Sequence, residues 1–334
     1  MSPRMNRMLG IALVAQIALL VGVSFAREES KMAPPSKVFD GFVPDKVTKI
    51  EITGDSATGT APMAPKTVTL TKKGTAWGIA SADDYPVDQA KVTAMLEAFA
   101  KLKASGAVVS KSSYYKKLEV ADDDYQRKVV LTADGNALSF FLGTSPGFKK
   151  AHLRNAGESD VRLVGDVSIW DVGYRASDWV DKAYAKVAET DVWGLTLENG
   201  KGRIQLERSP AGEWAVLGAK PDQTVKKTAV DDLVRKAALV SLEAPIGRTE
   251  RPEHGLDRPQ ATITLITGTS TIAGAPPPAT QTRVIKVGSK LGEGNAYYVR
   301  ASTSEYVVTS PGYGIEPLTS KAAADLFEAP APKK

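Results

Sequence analysis

Trp77-Gly78-Ile79, followed by Tyr85-Pro86-Val87-Asp88 and an apolar-periodic stretch to Leu102, returns later in the chain as Trp214-Ala215-Val216, Thr224-Val225-Lys226 and a second such stretch to Leu242. Another pair answers the first: Ala151-His152-Leu153-Arg154-Asn155-Ala156 matches Tyr297-Tyr298-Val299-Arg300-Ala301-Ser302. The matched points lie about 140 residues apart, the length of an ordinary domain and far beyond a solenoid repeat. The reading is a duplicated domain, which bears on architecture and names no reaction.

Each copy has the same expected order. In the first, Val47-Thr48-Lys49-Ile50-Glu51-Ile52 alternates as a half-buried strand. Residues 67–72 and 76–79, joined by Lys73-Gly74, read as a hairpin. Val92, Met95, Leu96, Phe99 and Leu102 recur at helical steps and form one apolar stripe. Asp88 is the expected N-cap and Gly106 the expected stop. Strands are expected at 128–132, 136–143, 151–154 and 161–164, with a short helical closure at 167–170 and 179–184.

The second copy repeats this with a strand at 195–198 and a hairpin of 202–208 with 213–217. Its helical stripe is Val230, Leu233, Val234, Ala237 and Ala238, and its closing strands are 261–267, 282–287, 296–300 and 306–309. A parallel sheet needs a crossover helix between most strand pairs, and one helix per copy cannot supply them. The expected class is therefore α+β: two tandem repeats, each a mostly antiparallel sheet with one main helix.

The N-terminus carries a different signal. Arg4 and Arg7 precede an apolar run from Met8 to Ala26, ended by Arg27-Glu28-Glu29. A charged start followed by such a run is an export signal or a membrane anchor. Ser24-Phe25-Ala26 would suit cleavage, whereas a run of about 19 residues just spans a bilayer, and the anchor is the preferred reading. The expected plan is an anchor or signal at 1–27, a polar linker at 28–44, repeats at 45–187 and 188–328, and a disordered tail at 329–334. The expected place is a bacterial cytoplasmic membrane with the repeats in the periplasm, or a free periplasmic protein after cleavage.

Composition narrows the functions. The 334 residues carry a formal charge of only +5, with Lys and Arg scattered among Asp and Glu, so the clustered footprint of a nucleic-acid binder is missing. A mean hydropathy of −0.18 excludes a polytopic membrane protein. There is no Cys, which excludes disulfides, thiolate catalysis, Cys-ligated zinc and a lipidated-Cys anchor.

The pattern as a whole resembles the bacterial domain-of-unknown-function 4340 family. Its elements are a hairpin, a Trp, a Val-Asp-type helix start, a Gly-Leu-Asp-x-Pro stretch, a strand ending in Gly and a Tyr-x-Arg-like strand. Gly255-Leu256-Asp257-Arg258-Pro259 matches the fourth, and Val287-Gly288 and Tyr297-Tyr298-Val299-Arg300 match the last two. In the first copy Lys117-Leu118-Glu119 stands where Gly-Leu-Asp is expected. The resemblance covers both copies, from about residue 45 to 328. It implies membrane-anchored exported proteins associated with ABC-type transporters of the gliding-motility auxiliary kind, and it brings no catalytic residues.

No constellation points to catalysis. His152 and His254 sit at non-equivalent places and do not form a ligand set. Asp122-Asp123-Asp124 lacks the alternating ligands and distant Glu of a calcium loop and reads as a solvated turn. Ser110, Ser112 and Ser113 have no nucleophile-elbow setting, and Gly292-Glu293-Gly294 precedes a strand, so it is a turn and not a phosphate cradle. An enzyme would need Asp and Glu side chains brought together only by the fold.

Four residues remain as candidates. Trp77 and Trp214 read first as core aromatics and otherwise as stacking faces for a ligand. Arg154 and Arg300 read first as structural and otherwise as contacts to an anionic ligand. No metal or cofactor is expected. The expected function is a non-enzymatic accessory protein, held at the membrane by residues 8–26, that binds an envelope protein such as an ABC-type transporter. The alternative is a periplasmic glycan- or polymer-binding module using a cleft between the repeats.

Overall fold

The computed structural model describes residues 16, 34–54, 67–270, 277, 279–292 and 294–329. The expected anchor at 8–26 lies outside these apart from Gln16, as do residues 330–334 of the tail. Among the described residues no helix is long and apolar enough to cross a membrane.

Two antiparallel sheets hold nearly all of the strand residues. The first comprises β1 (Val47–Gly54), β2 (Thr67–Lys73), β3 (Ala76–Ile79), β4 (Tyr85–Pro86), β5 (Ala107–Val109), β6 (Arg127–Ala133), β7 (Asn136–Leu142), β8 (Lys150–Asn155) and β9 (Val161–Gly165). Its spatial order is β4-β3-β2-β1-β6-β7-β8-β9-β5. The second comprises β10 (Val192–Asn199), β11 (Gly202–Arg208), β12 (Trp214–Val216), β13 (Ala244–Gly247), β14 (Ala261–Thr267), β15 (Gln281–Lys290), β16 (Ala296–Ala301) and β17 (Val307–Pro311). Its order is β12-β11-β10-β14-β15-β16-β17-β13. The strands follow one another identically in the two sheets except that, among the described residues, β4 has no counterpart.

Register aligns the sheets residue by residue. Leu70 of β2 faces Ile50, and Lys72 faces Trp77. Leu206 of β11 faces Leu195, and Arg208 faces Trp214. Arg154 is opposite Val161, and Arg300 is opposite Val307.

Helix α1 (Gln89–Lys101) starts as expected: the Asp88 carboxylate accepts from Lys91 N at 3.1 Å, meeting one of the unpaired first-turn amides. Val92, Met95, Leu96 and Phe99 are buried, and Phe99 meets Phe140 of β7 edge-on at 5.2 Å. Gly106 is not the stop. The chain leaves the helix at Leu102 and goes straight into Lys103–Ala104, which pairs with Ser36–Lys37. Part of the expected linker thus joins the fold, with Phe39 buried against Phe140 at 4.8 Å. Around α2 (Lys227–Ala238) the pairing recurs: Leu239–Val240 bonds to Ala185–Lys186.

The closing segments differ from expectation. Residues 179–184 are not helical; 3₁₀ turns form at Ile169–Asp171 and Ala176–Asp178 instead. The chain end after each sheet covers the start of its helix, with Asp88 N bonding to Trp179 O at 2.7 Å and Lys226 N to Leu326 O at 2.8 Å. A third helix, α3 (Gly312–Ser320), lies beside α2. Gly312, Gly314 and Pro317 disguise it in sequence, yet Gly312 is needed there, since a Cβ would fall 2.4 Å from Asn295 O.

The expected placing of Lys117-Leu118-Glu119 is off by two residues. A Cβ at Gly288 would lie 2.0 Å from His254 O, and one at Gly143 would lie 2.0 Å from Leu118 O, so Leu118 stands where His254 does. Glu119 therefore occupies the place of Gly255, and both have positive φ, 54° and 64°. A side chain at that φ hides the turn from a search for glycine.

Candidate functional site

The four candidates do not meet. Trp77 is in β3 next to one edge of its sheet, Trp214 is in β12 at the edge of the other, and Arg154 and Arg300 lie in β8 and β16.

Trp77 is only 5% exposed. The Gln89 side chain seals it in place: Oε1 accepts from Trp77 N at 2.8 Å, and Nε2 donates to Trp77 O and Val87 O, both at 2.9 Å. The β3 backbone is thereby stitched to the first turn of α1, and β4 covers its outer side. Gly78 permits this closure, since a Cβ there would sit 2.7 Å from Asp84 O.

Trp214 has the same register and a different fate. Counted along the helical stripes, in which Val92, Met95 and Leu96 match Val230, Leu233 and Val234, the place of Gln89 is taken by Lys227. Lysine has three donors and no acceptor, so it cannot receive an amide as Gln89 does. Among the described residues no strand pairs with the outer side of β12. Beside it opens a cavity of about 410 Å³, floored by Val225, Val230 and Val234, with Trp214 on its wall and Glu213, Asp231 and Lys227 among its rim residues. Leu217, just past β12, is also exposed. An apolar floor, a half-buried indole and an unpaired strand edge can take an extended peptide segment.

The two arginines diverge in the same way. Arg154 is 3% exposed and lies between the rings of Tyr115 and Phe141, at 4.6 and 4.7 Å from their centroids. Its Nε donates to Val120 O at 2.7 Å, and Nη2 lies 3.1 Å from an Asp122 oxygen, close enough for an ion pair but without hydrogen-bond alignment. Asp123 pairs with Lys116 at 2.8 Å, a hydrogen bond that holds its carboxyl below the usual range. Asp122 and Asp123 of this turn are thus engaged with cations of the chain itself. Arg300 is half-buried and pairs with Glu250.

The histidines hold up turns. His254 is buried, stacks on Tyr298 at 4.4 Å, and accepts from Arg251 N at 3.2 Å; burial lowers its pKa. His152 Nδ1 lies 2.9 Å from Thr144 Oγ1 and from Thr144 O. Among the described residues no three His, Asp or Glu side chains gather as a metal site would require.

The halves meet in a packed joint. Asp83 and Asp84, both at positive φ, turn their carbonyl oxygens toward the Tyr306 hydroxyl, and Asp83 also offers its carboxylate to the chain just after β13. Arg248 N donates to Asp83 Oδ2 at 2.7 Å, Arg248 Nη1 to Asp83 O at 2.6 Å, and Arg248 Nη2 to Tyr306 Oη. Tyr85 packs on Tyr306 at 4.7 Å, and burial pushes the Tyr85 phenol up to about 12. The Lys73 hydrogen bond holds the Asp84 carboxyl below its usual range. The joint lies at the β4 edge, so the second half covers that edge of the first sheet. The face carrying Trp214 is on the other edge of the second sheet, away from the joint.

The sequence reading did not single out Gln89 and Lys227. Aligning the two helical stripes would have exposed the pair, since both sit at the first helical position.

The family model described as a domain of unknown function (DUF4340) matches residues 77–259, more than half of the chain. It is one match that begins at Trp77 and ends at Pro259, crossing both halves, and it is narrower than the span of about 45 to 328 expected from the motifs. No curated protein and no solved structure matches the chain.

Proposed function

This chain belongs to the DUF4340 family of domains of unknown function, and from that premise we propose that it is a non-enzymatic, exported accessory protein whose second half docks a protein partner. The two halves are read as tandem copies of one unit, supported by the common strand order and register. Residues 8–26 hold the chain in a bacterial cytoplasmic membrane with the copies on the periplasmic side, a reading that rests on the charged start and apolar run.

One observation carries the docking site. The face that the first copy seals with Gln89, β4 and the second copy is open in the second copy, where Lys227 replaces Gln89 and a cavity lies beside an uncovered strand edge. The partner is an extended segment of an envelope protein, and an ABC-type transporter is the first candidate. Placing a photo-crosslinking amino acid at Leu217 of the full-length, membrane-tethered protein tests this in vivo. Adducts with transporter subunits at Leu217, and none at Phe148 on an exposed loop of the first half, are expected. Adducts at both positions alike, or at neither, would remove the docking face.

A further inference from the structure

A second cavity, of about 370 Å³, lies on the first half, lined by Lys91, Arg127, Trp170, Tyr174, Arg175 and Asp178 among others. Its most unusual member is Trp170, which is 81% exposed. An exposed indole at the lip of a cavity is a flat apolar surface that a ligand can cover. It is not loosely held. Ser168 Oγ accepts from Trp170 N at 3.3 Å and Asp171 Oδ2 accepts from Ser168 N at 2.9 Å, a capping box that fixes the 3₁₀ turn Ile169–Asp171. Val172 is fully buried directly after it. The turn is anchored on its inner side and presents the indole outward.

Beside this ring stands a fixed array of cations. Tyr174 lies between two guanidinium groups, with Arg127 at 4.6 Å and Arg175 at 5.1 Å from its centroid, and Arg175 Nη2 donates to Tyr174 Oη at 3.0 Å. Gly54 makes room for this ring, since a Cβ there would fall 2.2 Å from Tyr174 Cγ. Arg127 is buried, and its Nε donates to Val172 O at 2.8 Å, so its charge cannot swing away. Lys91 is held over Trp179 and donates to Asp178 O. Among the described residues neither Arg175 nor Lys91 has a carboxylate partner within the ion-pair distance of 4.0 Å. The one carboxylate of the lining, Asp178, spends Oδ2 on Arg175 N at 3.0 Å. Three cations thus line one cavity that has a single carboxylate in its lining.

We infer that this cavity binds an acidic saccharide, a pyranose carrying a carboxylate or phosphate. The flat indole offers the apolar face on which the C–H side of a sugar ring rests, and the guanidinium and ammonium groups take the anion and the hydroxyls. The volume suits a small ligand. An acidic peptide would instead need a strand edge or a long groove. The site is on the other half from the Trp214 face and stands or falls independently of the partner proposed above.

The test is calorimetric titration of the full-length protein in detergent, at low ionic strength, with trigalacturonic acid, with the neutral maltotriose and with hexaglutamate. Binding of trigalacturonic acid alone is expected, weakened by added salt. Trp170→Ala and Arg175→Ala should each lower the affinity at least about tenfold, while Trp214→Ala leaves it unchanged. Both lining residues are exposed, so unchanged thermal melts of these variants will separate lost binding from lost fold. No heat with trigalacturonic acid, full binding by the Trp170→Ala variant, or equal binding of hexaglutamate would overturn the assignment.

Discussion

Trp77 and Trp214 sit at one register in two sheets of the same order, yet one is sealed and the other lines a cavity. The difference comes down to a few atoms. Gln89 can both give and accept at the β3 backbone, and Lys227 can only give. Where the stitch exists the edge is covered further by β4 and then by the other half; where it is lacking the edge stays open. Arg154 and Arg300 repeat the lesson, the first buried between rings and the second half-exposed with a carboxylate. The same residue type stands at matching backbone positions while its surroundings give it different work.

The comparison can be broken most forcefully at the tryptophans. Trp77→Ala should destabilise the protein by about 4 kcal/mol, whereas Trp214→Ala should cost about 1 kcal/mol; denaturant titration reads both. Equal losses would mean that the second face is closed in solution. The glycines probe what the halves share. Gly143→Ala and Gly288→Ala each push a Cβ against a carbonyl oxygen at 2.0 Å, and each should cost about 3 kcal/mol. A large loss at one and none at the other would end the equivalence of the two turns.

The arginines should part again, more mildly. Arg154→Ala strands the buried Val120 carbonyl and should cost about 2 kcal/mol, against less than about 1 kcal/mol for Arg300→Ala. The smallest effect is the most informative about the site. Lys227→Gln should raise stability by about 1 kcal/mol by restoring the stitch, and should reduce crosslinking from Leu217. A variant that gains stability without losing crosslinks would separate the stitch from the docking face.

Much of the fold was legible because it is written in periodicity. The alternation of residues 47–52 and the stripe from Val92 to Phe99 emerged as strand and helix, and Asp88 caps as its carboxylate allows. What failed was written in tertiary contact. Gly106 was a reasonable stop, but pairing of Lys103–Ala104 with Ser36–Lys37 ended the helix earlier. β5 and β13 are too short to show a period, and Glu119 hides the turn by standing where glycine would be expected. Of the site, the equivalence of the tryptophans was readable, whereas their opposite burial was not, because it depends on a residue twelve or thirteen positions further along in each half, Gln89 or Lys227. Trp170 lay within the expected closure, and nothing in its neighbours announced that it would face water.

The most direct measurement is backbone amide exchange of the free full-length protein, read at Trp77 and at Trp214. The Trp77 amide donates to Gln89 Oε1 at 2.8 Å beneath β4, whereas Trp214 lies on an uncovered edge with Lys227 in place of the glutamine. Trp214 should exchange at least about a hundredfold faster than Trp77. Equal protection at the two amides would contradict the account, because the second face would then be as closed as the first and would have no room for a partner.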